Sequence, residues 1–401
     1  MEIKARNKAI SFYKLIIFRI DFYLKNKIWE VFFIYSNFFS IIFFNSLYLY
    51  SKKEALEFLL IFNLISILTL SLSANARNIS ILHAGPIYLK KVTKFRSFSS
   101  IVILIIIYFL QSFLSIRESI FFLSISLLAL SFWIIEPIVT LSEITKKNFK
   151  FSILLFFSHL FVCLNFSFIY YIYRQRDVLI LFFFILSFIN IFYLLYSFCS
   201  KKSLNIEYSY RKSQFSSQIL NKLAFLSSIC IISSVFLIRY FLFDKLDYNL
   251  AADVIFCLSI VSFPGSLITG FYGAKYLNKD IILPSIFKYI FIVFSLLFFV
   301  SIATLSMNLY PLYNNFLKLL CLSLIGSLFM FIAQAFRTLH MSSLNIQSVF
   351  LKDIFFHLVL FFLAYLLISY FNVYLLFLIY PLMALVTYCS TIKFYDFVKK
   401  K

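Results

Sequence analysis

Charged residues are scarce in this chain, making up 13% of its 401 residues, whereas 63% are hydrophobic. A soluble globular protein is about a quarter charged and about half apolar, so the composition excludes an ordinary soluble domain. The apolar residues form runs of about 20, the length that crosses a bilayer as a helix. A β-barrel would alternate apolar and polar residues instead. We therefore predict an all-α polytopic membrane protein.

Signatures of catalysis and of metal binding are also missing. No P-loop, HExxH or GxSxG motif is present. No two cysteines form a CxxC pair, and all six lie in or at the ends of apolar runs: Cys163, Cys199, Cys230, Cys257, Cys321 and Cys389. We expect buried thiols, no metal site, no cofactor, no catalytic residue and no enzymatic activity. Basic residues interrupt the first apolar stretch, so no cleavable signal peptide is expected.

Twelve apolar runs predict about twelve transmembrane helices. They cover residues 28–50, 55–74, 97–115, 119–140, 151–173, 178–199, 219–241, 250–272, 284–306, 316–336, 350–370 and 373–392. With the N-terminus in the cytoplasm, eight of the 37 Lys and Arg residues fall on the opposite side, which leaves 29 on the cytoplasmic side. Both termini are thus predicted to be cytoplasmic. This asymmetry also accounts for the net charge of +21, so no nucleic-acid partner is expected.

The predicted spans repeat after six helices with an offset near 195 residues. Asn26-Lys27-Ile28 precedes the first span, and Asn221-Lys222-Leu223 precedes the seventh. We predict two pseudo-symmetric six-helix bundles, 28–199 and 219–392. They are flanked by a basic interfacial segment (1–27), a cytoplasmic linker (200–218) and a basic tail (393–401). Two parallel six-helix halves are typical of a transporter with its path between them, and a monomer would already enclose one path.

Only five glycines occur in the chain, and three of them lie in the stretch FPGSLITGFYG, residues 263–273. Proline permits a kink, and small residues let helices approach closely in lipid. Simple packing explains this pattern. A hinge at the cytoplasmic end of the eighth span, formed by Pro264, Gly265, Gly270 and Gly273, is the functional alternative.

Ionisable residues inside or at the ends of spans are the candidate site residues, because such groups are costly in lipid. The basic candidates for binding an anionic group are Arg77, Arg239, Arg337, Lys288, Lys318 and Lys352. Snorkelling to the interface explains the lysines equally well. The candidates for coupling to H⁺ or Na⁺ are Glu136, Asp253, Asp353 and His357. Ion pairing with a neighbouring helix is an alternative for these acids, and Asp353 has Lys352 and Arg337 near it in the chain.

Four short stretches carry a family resemblance: SKKEALEF and SANARNI in the first half, and FLIRYFLF and YNLAADVIF in the second. Each half shows a basic entry, a long helix, a short outward turn with an acidic residue, and an Ala-rich second helix. The pattern resembles the polysaccharide (O-antigen-type) flippases of the multidrug/oligosaccharidyl-lipid/polysaccharide exporter superfamily.

This resemblance implies a carrier in the bacterial cytoplasmic (inner) membrane. It would move an undecaprenyl-diphosphate-linked oligosaccharide from the cytoplasmic to the outer leaflet by alternating access. A cationic cavity between the bundles would receive the diphosphate, with Arg77 meeting it from the inside and Arg239 offering a second station.

Three other classes of membrane protein are weighed against this interpretation. A multidrug or metabolite exporter of the same superfamily would have the same repeat, with acids and aromatics in its cavity. A polysaccharide polymerase or membrane glycosyltransferase needs a substantial outward loop, and the outward loops here have about three to nine residues by the span prediction. A major-facilitator transporter carries a Gly-Asp-Arg-rich loop after its second span, which HAGPIYLKKVTKFR does not match.

Overall fold

The computed structural model describes residues 39, 42–73, 85–110, 116–145, 149–199, 218–277, 285–306, 315–342 and 346–389. Within these ranges the regular elements are all helical. They are α1 (42–48), α2 (Lys52–Ser73), α3 (Gly85–Leu110), α4 (Ile116–Thr145), α5 (Phe149–Tyr173), α6 (Arg176–Cys199), α7 (Gln218–Lys245), α8 (Tyr248–Leu277), α9 (Ser285–Ser306), α10 (Asn315–Ser342), α11 (Ile346–Tyr370), a 3₁₀ turn (Val373–Leu375) and α12 (Leu376–Cys389).

Seven helices in the described part of the chain contain a segment that is long and apolar enough to cross a membrane. These segments are Lys91–Phe109, Glu118–Val139, Leu154–Tyr173, Arg176–Tyr196, Lys222–Lys245, Asn315–Thr338 and Gln347–Tyr370. Three shorter apolar helices accompany them: Tyr248–Phe263, Phe291–Leu305 and Val373–Cys389. The predicted class, an all-helical polytopic membrane protein, is confirmed at this level. Both termini lie outside the described residues, so their side of the membrane stays a prediction.

The third helix differs most from its sequence prediction. We predicted a basic loop before a span at 97–115, but α3 already begins at Gly85 and ends at Leu110. Pro86 falls in the first turn of this helix, where its missing N–H costs no hydrogen bond and its fixed φ favours helix formation. The basic stretch after Pro86 is therefore helical, and it includes Arg96.

The helices pack in a regular order. α4 lies against α2, α3 and α6, while α5 packs on α6. α10 lies against α8, α9 and α12, while α11 packs on α7 and α12. Helix α2 also contacts α7 and α8, so it joins the helices α1–α6 to the helices α7–α12.

Aromatic rings provide much of the interior packing where glycine is scarce. Phe43 of α1 contacts the rings of Phe58, Phe182 and Phe183 from α2 and α6, with ring centroids 5.0, 5.2 and 5.4 Å away. Such pairs contribute about 0.5–1.5 kcal/mol each beyond simple burial. These interlocking rings thus fix α1 against its neighbours, and they hold the helices further apart than small residues would.

Buried serines satisfy their hydroxyl groups within their own helices. Ser124, Ser187, Ser323 and Ser327 are fully buried, and each donates to a backbone carbonyl three or four residues earlier. An unsatisfied polar group costs several kcal/mol in hydrocarbon, on the order of the values for transfer to an apolar solvent. These serines therefore carry no unsatisfied polar group into the interior.

Candidate functional site

A buried ion pair joins α10 to α11. Asp353 is fully buried and accepts two hydrogen bonds from the Arg337 guanidinium, at 2.9 Å from Nε and 2.7 Å from Nη2. Tyr388 of α12 donates its hydroxyl to the same carboxylate at 2.6 Å, and Ser227 of α7 donates at 3.3 Å. Four donors from three other helices therefore saturate this carboxylate. Asp353 serves as the counter-ion of Arg337, as the sequence allowed.

A second polar contact lies one turn further along the same helices. His357 follows Asp353 by four residues on α11, and Ser234 follows Ser227 by seven residues on α7. The Nδ1 atom of His357 lies 2.7 Å from the Ser234 hydroxyl, and both side chains are buried. Two residues four apart on α11 thus contact two residues seven apart on α7, and these two contacts align the helices. Asp353 and His357 share one helical face, as predicted.

Arg96 closes a gap that a proline opens in α4. Pro137 lies inside α4 and has no N–H for the carbonyl of Trp133, four residues earlier. The Nη1 atom of Arg96, on α3, donates to that carbonyl at 2.8 Å and to Glu136 at 2.5 Å. The guanidinium carbon also lies 5.3 Å from the centre of the Trp133 ring. Arg96 is nearly fully buried, so this contact stabilises α4 at its proline, and Glu136 is the counter-ion of Arg96.

Polar side chains also connect α1 and α2 with α8. Asp253 of α8 accepts from the Tyr48 hydroxyl and from the Lys52 ammonium group, the latter at 2.6 Å. Deeper along the same helices, the Ser259 hydroxyl donates to the Asn45 amide oxygen at 2.8 Å. Asp253, which we proposed for ion coupling, therefore has a basic partner on another helix.

The ends of α5 and α6 bring a further polar group to the same end of the molecule. Tyr170 donates to Glu54, and Arg176 forms an ion pair with Glu57. The Tyr248 hydroxyl at the start of α8 is buried without a hydrogen bond and lies within electrostatic reach of both carboxylates. The α1–α2, α5–α6 and α7–α8 turns thus lie at one end of the bundle, which we call the α1–α2 end.

Arg239 differs from the other arginines in the membrane-crossing segments. Four arginines lie within the seven segments, and three have a carboxylate partner: Arg96, Arg176 and Arg337. Arg239 of α7 makes no ion pair or hydrogen bond within the described residues and is partly exposed. The Tyr380 side chain of α12 lies within electrostatic reach of it. A permanent positive charge in a membrane segment without a counter-ion is a candidate site for an anion.

The remaining predicted site residues are less informative. Lys318 is exposed near the start of α10, and Lys352 is half-buried on α11. Lys288, Pro264, Gly270 and Gly273 lie in helical backbone, and Arg77 lies outside the described residues. α8 runs without a break through the proposed hinge. A methyl group on Gly265 would lie 2.5 Å from a side-chain carbon of Gln334, so this glycine is a close contact between α8 and α10.

Sequence reasoning missed several polar partners. It did not single out Arg96, Tyr48, Tyr170, Tyr388 or Ser227. Arg96 was detectable, because a proline in the middle of an apolar helix frees a carbonyl that needs a donor. The tyrosines were not detectable, since the chain has 27 of them and no pattern separates the three named here from the rest.

No protein-family model matches the chain, and comparisons with curated proteins and with solved structures find no significant match either. The resemblance to polysaccharide flippases therefore stays a prediction.

Proposed function

We propose that the protein is a two-bundle membrane transporter that moves an anionic, lipid-linked substrate between leaflets by alternating access. In its specific form the proposal is a flippase for an undecaprenyl-diphosphate-linked oligosaccharide in a bacterial inner membrane. The observation that carries the proposal is the environment of Arg239, the one of these four arginines that has no carboxylate partner within the described residues. Multidrug export by the same architecture is the second candidate, and the polymerase class is a third.

The packing order supports two related bundles. The pairs α2–α4, α3–α4, α4–α6 and α5–α6 recur six helices later as α8–α10, α9–α10, α10–α12 and α11–α12. The turns α1–α2 and α7–α8 lie at the same end, as expected for parallel halves of six helices each. A buried histidine about three turns into the fifth helix of each half, His159 and His357, adds to the likeness. By the distribution of Lys and Arg, the α1–α2 end faces outward.

The unpaired guanidinium favours an anionic substrate over a neutral or cationic one. A phosphate oxyanion accepts two parallel hydrogen bonds from arginine. In a partly desolvated site such contacts are worth more than in water. Arg239 lies six residues from the end of α7, about 9 Å along the helix axis. This depth suits a lipid headgroup that has entered between the bundles.

Coupling to H⁺ or Na⁺ through the predicted carboxylates would have to act through an existing ion pair. Glu136, Asp253 and Asp353 each have a basic partner from another helix. Asp353 and Glu136 are bonded within a single bundle. Asp253 is bonded between bundles, so it is the carboxylate of these three that a relative movement of the bundles would free.

Genetic complementation tests the proposal. The gene is deleted in its host, and surface polysaccharide and lipid-linked intermediates are measured. We expect loss of surface polymer and accumulation of single lipid-linked units on the inner leaflet. Arg239→Ala should restore export about tenfold less well than the parent, because a charged hydrogen bond is lost. Arg239→Lys should fall between the two, since it keeps the charge without the bidentate geometry.

Arg174→Ala is the matched control. Arg174 lies in the α5–α6 turn at the same end of the molecule and is exposed, so its removal should leave export unchanged at equal protein levels. Intact surface polymer after gene deletion would exclude the flippase and favour the exporter. Units that reach the outer leaflet but stay unpolymerised would favour the polymerase.

A further inference from the structure

We infer that Tyr48, Lys52 and Asp253, together with Asn45 and Ser259, form a latch that holds the two bundles closed at the α1–α2 end. The latch opens once in each transport cycle, and the inference rests on the proposed transport function. These five residues are called the latch below. None of the five latch residues belongs to the proposed anion site at Arg239.

The contacts of the latch run between the two bundles. Tyr48 and Lys52 both bond to the same oxygen of Asp253, and the Lys52 ammonium group lies 5.3 Å from the centre of the Tyr48 ring. The Tyr48 ring stacks on Phe256 with centroids 4.4 Å apart. Three side chains of the first bundle, from Asn45 to Lys52, thus bind one stripe of α8. The dividing plane between the bundles passes through this set of bonds.

Each side of the latch is fixed to its own bundle. On one side Glu57 of α2 pairs with Arg176 of α6, and Glu54 bonds to Tyr170 of α5. On the other side α8 packs along α10, where Gly265 allows close approach. Lys52 therefore moves with the first bundle, and Asp253 moves with the second.

The ion pair of the latch is weaker than the buried ion pair between α10 and α11. The side chains of Lys52 and Asp253 are 37% and 17% exposed, whereas those of Arg337 and Asp353 are 12% and 0% exposed. Water can therefore solvate the latch charges as they separate, while the charges of the buried pair would stay unsolvated. Opening between the bundles breaks the latch and leaves the polar core of each bundle intact.

The apolar contact between α2 and α7 does not oppose this movement strongly. Ala55, Leu56, Ile238 and Leu242 lie in one buried apolar cluster that includes both helices. Lipid tails are as apolar as these side chains, so no hydrophobic driving force holds the helices together in a bilayer. The polar latch therefore supplies much of the specificity of the closed arrangement.

The first experiment measures access from the outer side. A reporter Ser262→Cys is placed on α8, three residues past the latch, in a variant without native cysteines. The variant is reconstituted in proteoliposomes of phosphatidylethanolamine and phosphatidylglycerol. The probe is a membrane-impermeant, positively charged methanethiosulfonate. Lys52→Asp or Asp253→Lys should raise the labelling rate about 5- to 30-fold, the ratio for a change of one to two kcal/mol. The double exchange Lys52→Asp/Asp253→Lys should return labelling to within about twofold of the parent.

A matched control uses an ion pair that lies at the same end but within one helix. Asp244 and Lys245 are neighbours in α7 and are both half exposed. The single reversal Lys245→Asp changes the local charge by the same amount as Lys52→Asp and should leave labelling unchanged. If it raises labelling as much as Lys52→Asp does, the latch is wrong, because charge at this end rather than the bond would govern access.

A disulfide supplies the second test, which does not depend on charge reversal being tolerated. Asn45→Cys/Ser259→Cys, oxidised in the membrane, should slow labelling of Ser262→Cys below the parent rate and stop transport, and reduction should restore both. Full transport by the oxidised protein would overturn the latch. Unchanged labelling after charge reversal in a protein with normal helix content would overturn it as well. Labelling needs no substrate, so the latch and the flippase proposal can fail separately.

Discussion

Removal of the Asp353 carboxylate should be among the most destabilising single charge deletions in the described part of the protein. The carboxylate is fully buried and is the counter-ion of Arg337, which is 12% exposed. At an effective dielectric of about 20, opposite unit charges 4 Å apart attract each other by about 4 kcal/mol. Breaking a buried pair by deleting one partner costs about 3–5 kcal/mol, because the other charge stays buried. We expect Asp353→Ala to lose that amount.

A double variant distinguishes the contribution of the ion pair to stability from that of its surroundings. Asp353→Leu/Arg337→Met removes both charges and keeps the volume, so its loss should be smaller than that of either single variant. Asp244→Asn is the control at an exposed ion pair, with both side chains half exposed, and should cost less than about 1 kcal/mol. The assay is the unfolding free energy from SDS titration of purified protein in mixed micelles, followed by circular dichroism.

Two outcomes would refute this reasoning. A loss below about 1 kcal/mol for Asp353→Ala would mean that Arg337 reaches water or another anion when its partner is gone. A double variant that is less stable than both single variants would mean that the polar bonds to Tyr388 and Ser227 matter more than the charge pair. Either result would contradict the view that this cluster is a fixed internal support.

The remaining predictions use the same unfolding assay. Arg96→Met should cost about 1–3 kcal/mol because it leaves the buried Trp133 carbonyl of α4 without its donor; equal stability to the parent would show that water fills the gap. Gly326→Ala should destabilise the protein by more than about 1–3 kcal/mol, the usual cost of overpacking, because its methyl group would collide with a backbone oxygen at the kink of α12. Gly265→Ala should cost less than Gly326→Ala, since its obstacle is the side chain of Gln334, which can rotate; the reverse order would contradict this.

Hydropathy alone predicts the helices well in this protein. Most boundaries agree within a few residues because a lipid-facing helix has to stay apolar for its full length. α3 is the exception. Its first turns carry Lys90, Lys91 and Lys94, and a hydropathy window cannot distinguish a basic loop from a basic helix that extends beyond the lipid.

The pairing of charges was harder to predict than the spans. Asp353 with Arg337 was one of two pairings that the sequence allowed, because both lie near facing helix ends. Asp253 with Lys52 joins residues that are 201 positions apart, and no local spacing predicts such a contact. The depth of a residue in the membrane can be read from a sequence, but the rotation of each helix about its axis depends on packing against its neighbours.

The three kinds of charge in this molecule suggest how substrate binding and opening would be linked. The Arg337–Asp353 pair within the second bundle is buried, the latch charges are paired and partly exposed, and Arg239 has no carboxylate partner within the described residues. Arg239 lies on α7, the helix of the second bundle that α2 contacts, and Tyr380 of α12 lies within electrostatic reach of it. A ligand shifts a conformational equilibrium only by its difference in affinity for the two states. A gap between the open bundles admits an anion more readily than the closed contact does. We therefore expect an anionic lipid to favour the state in which the latch is open.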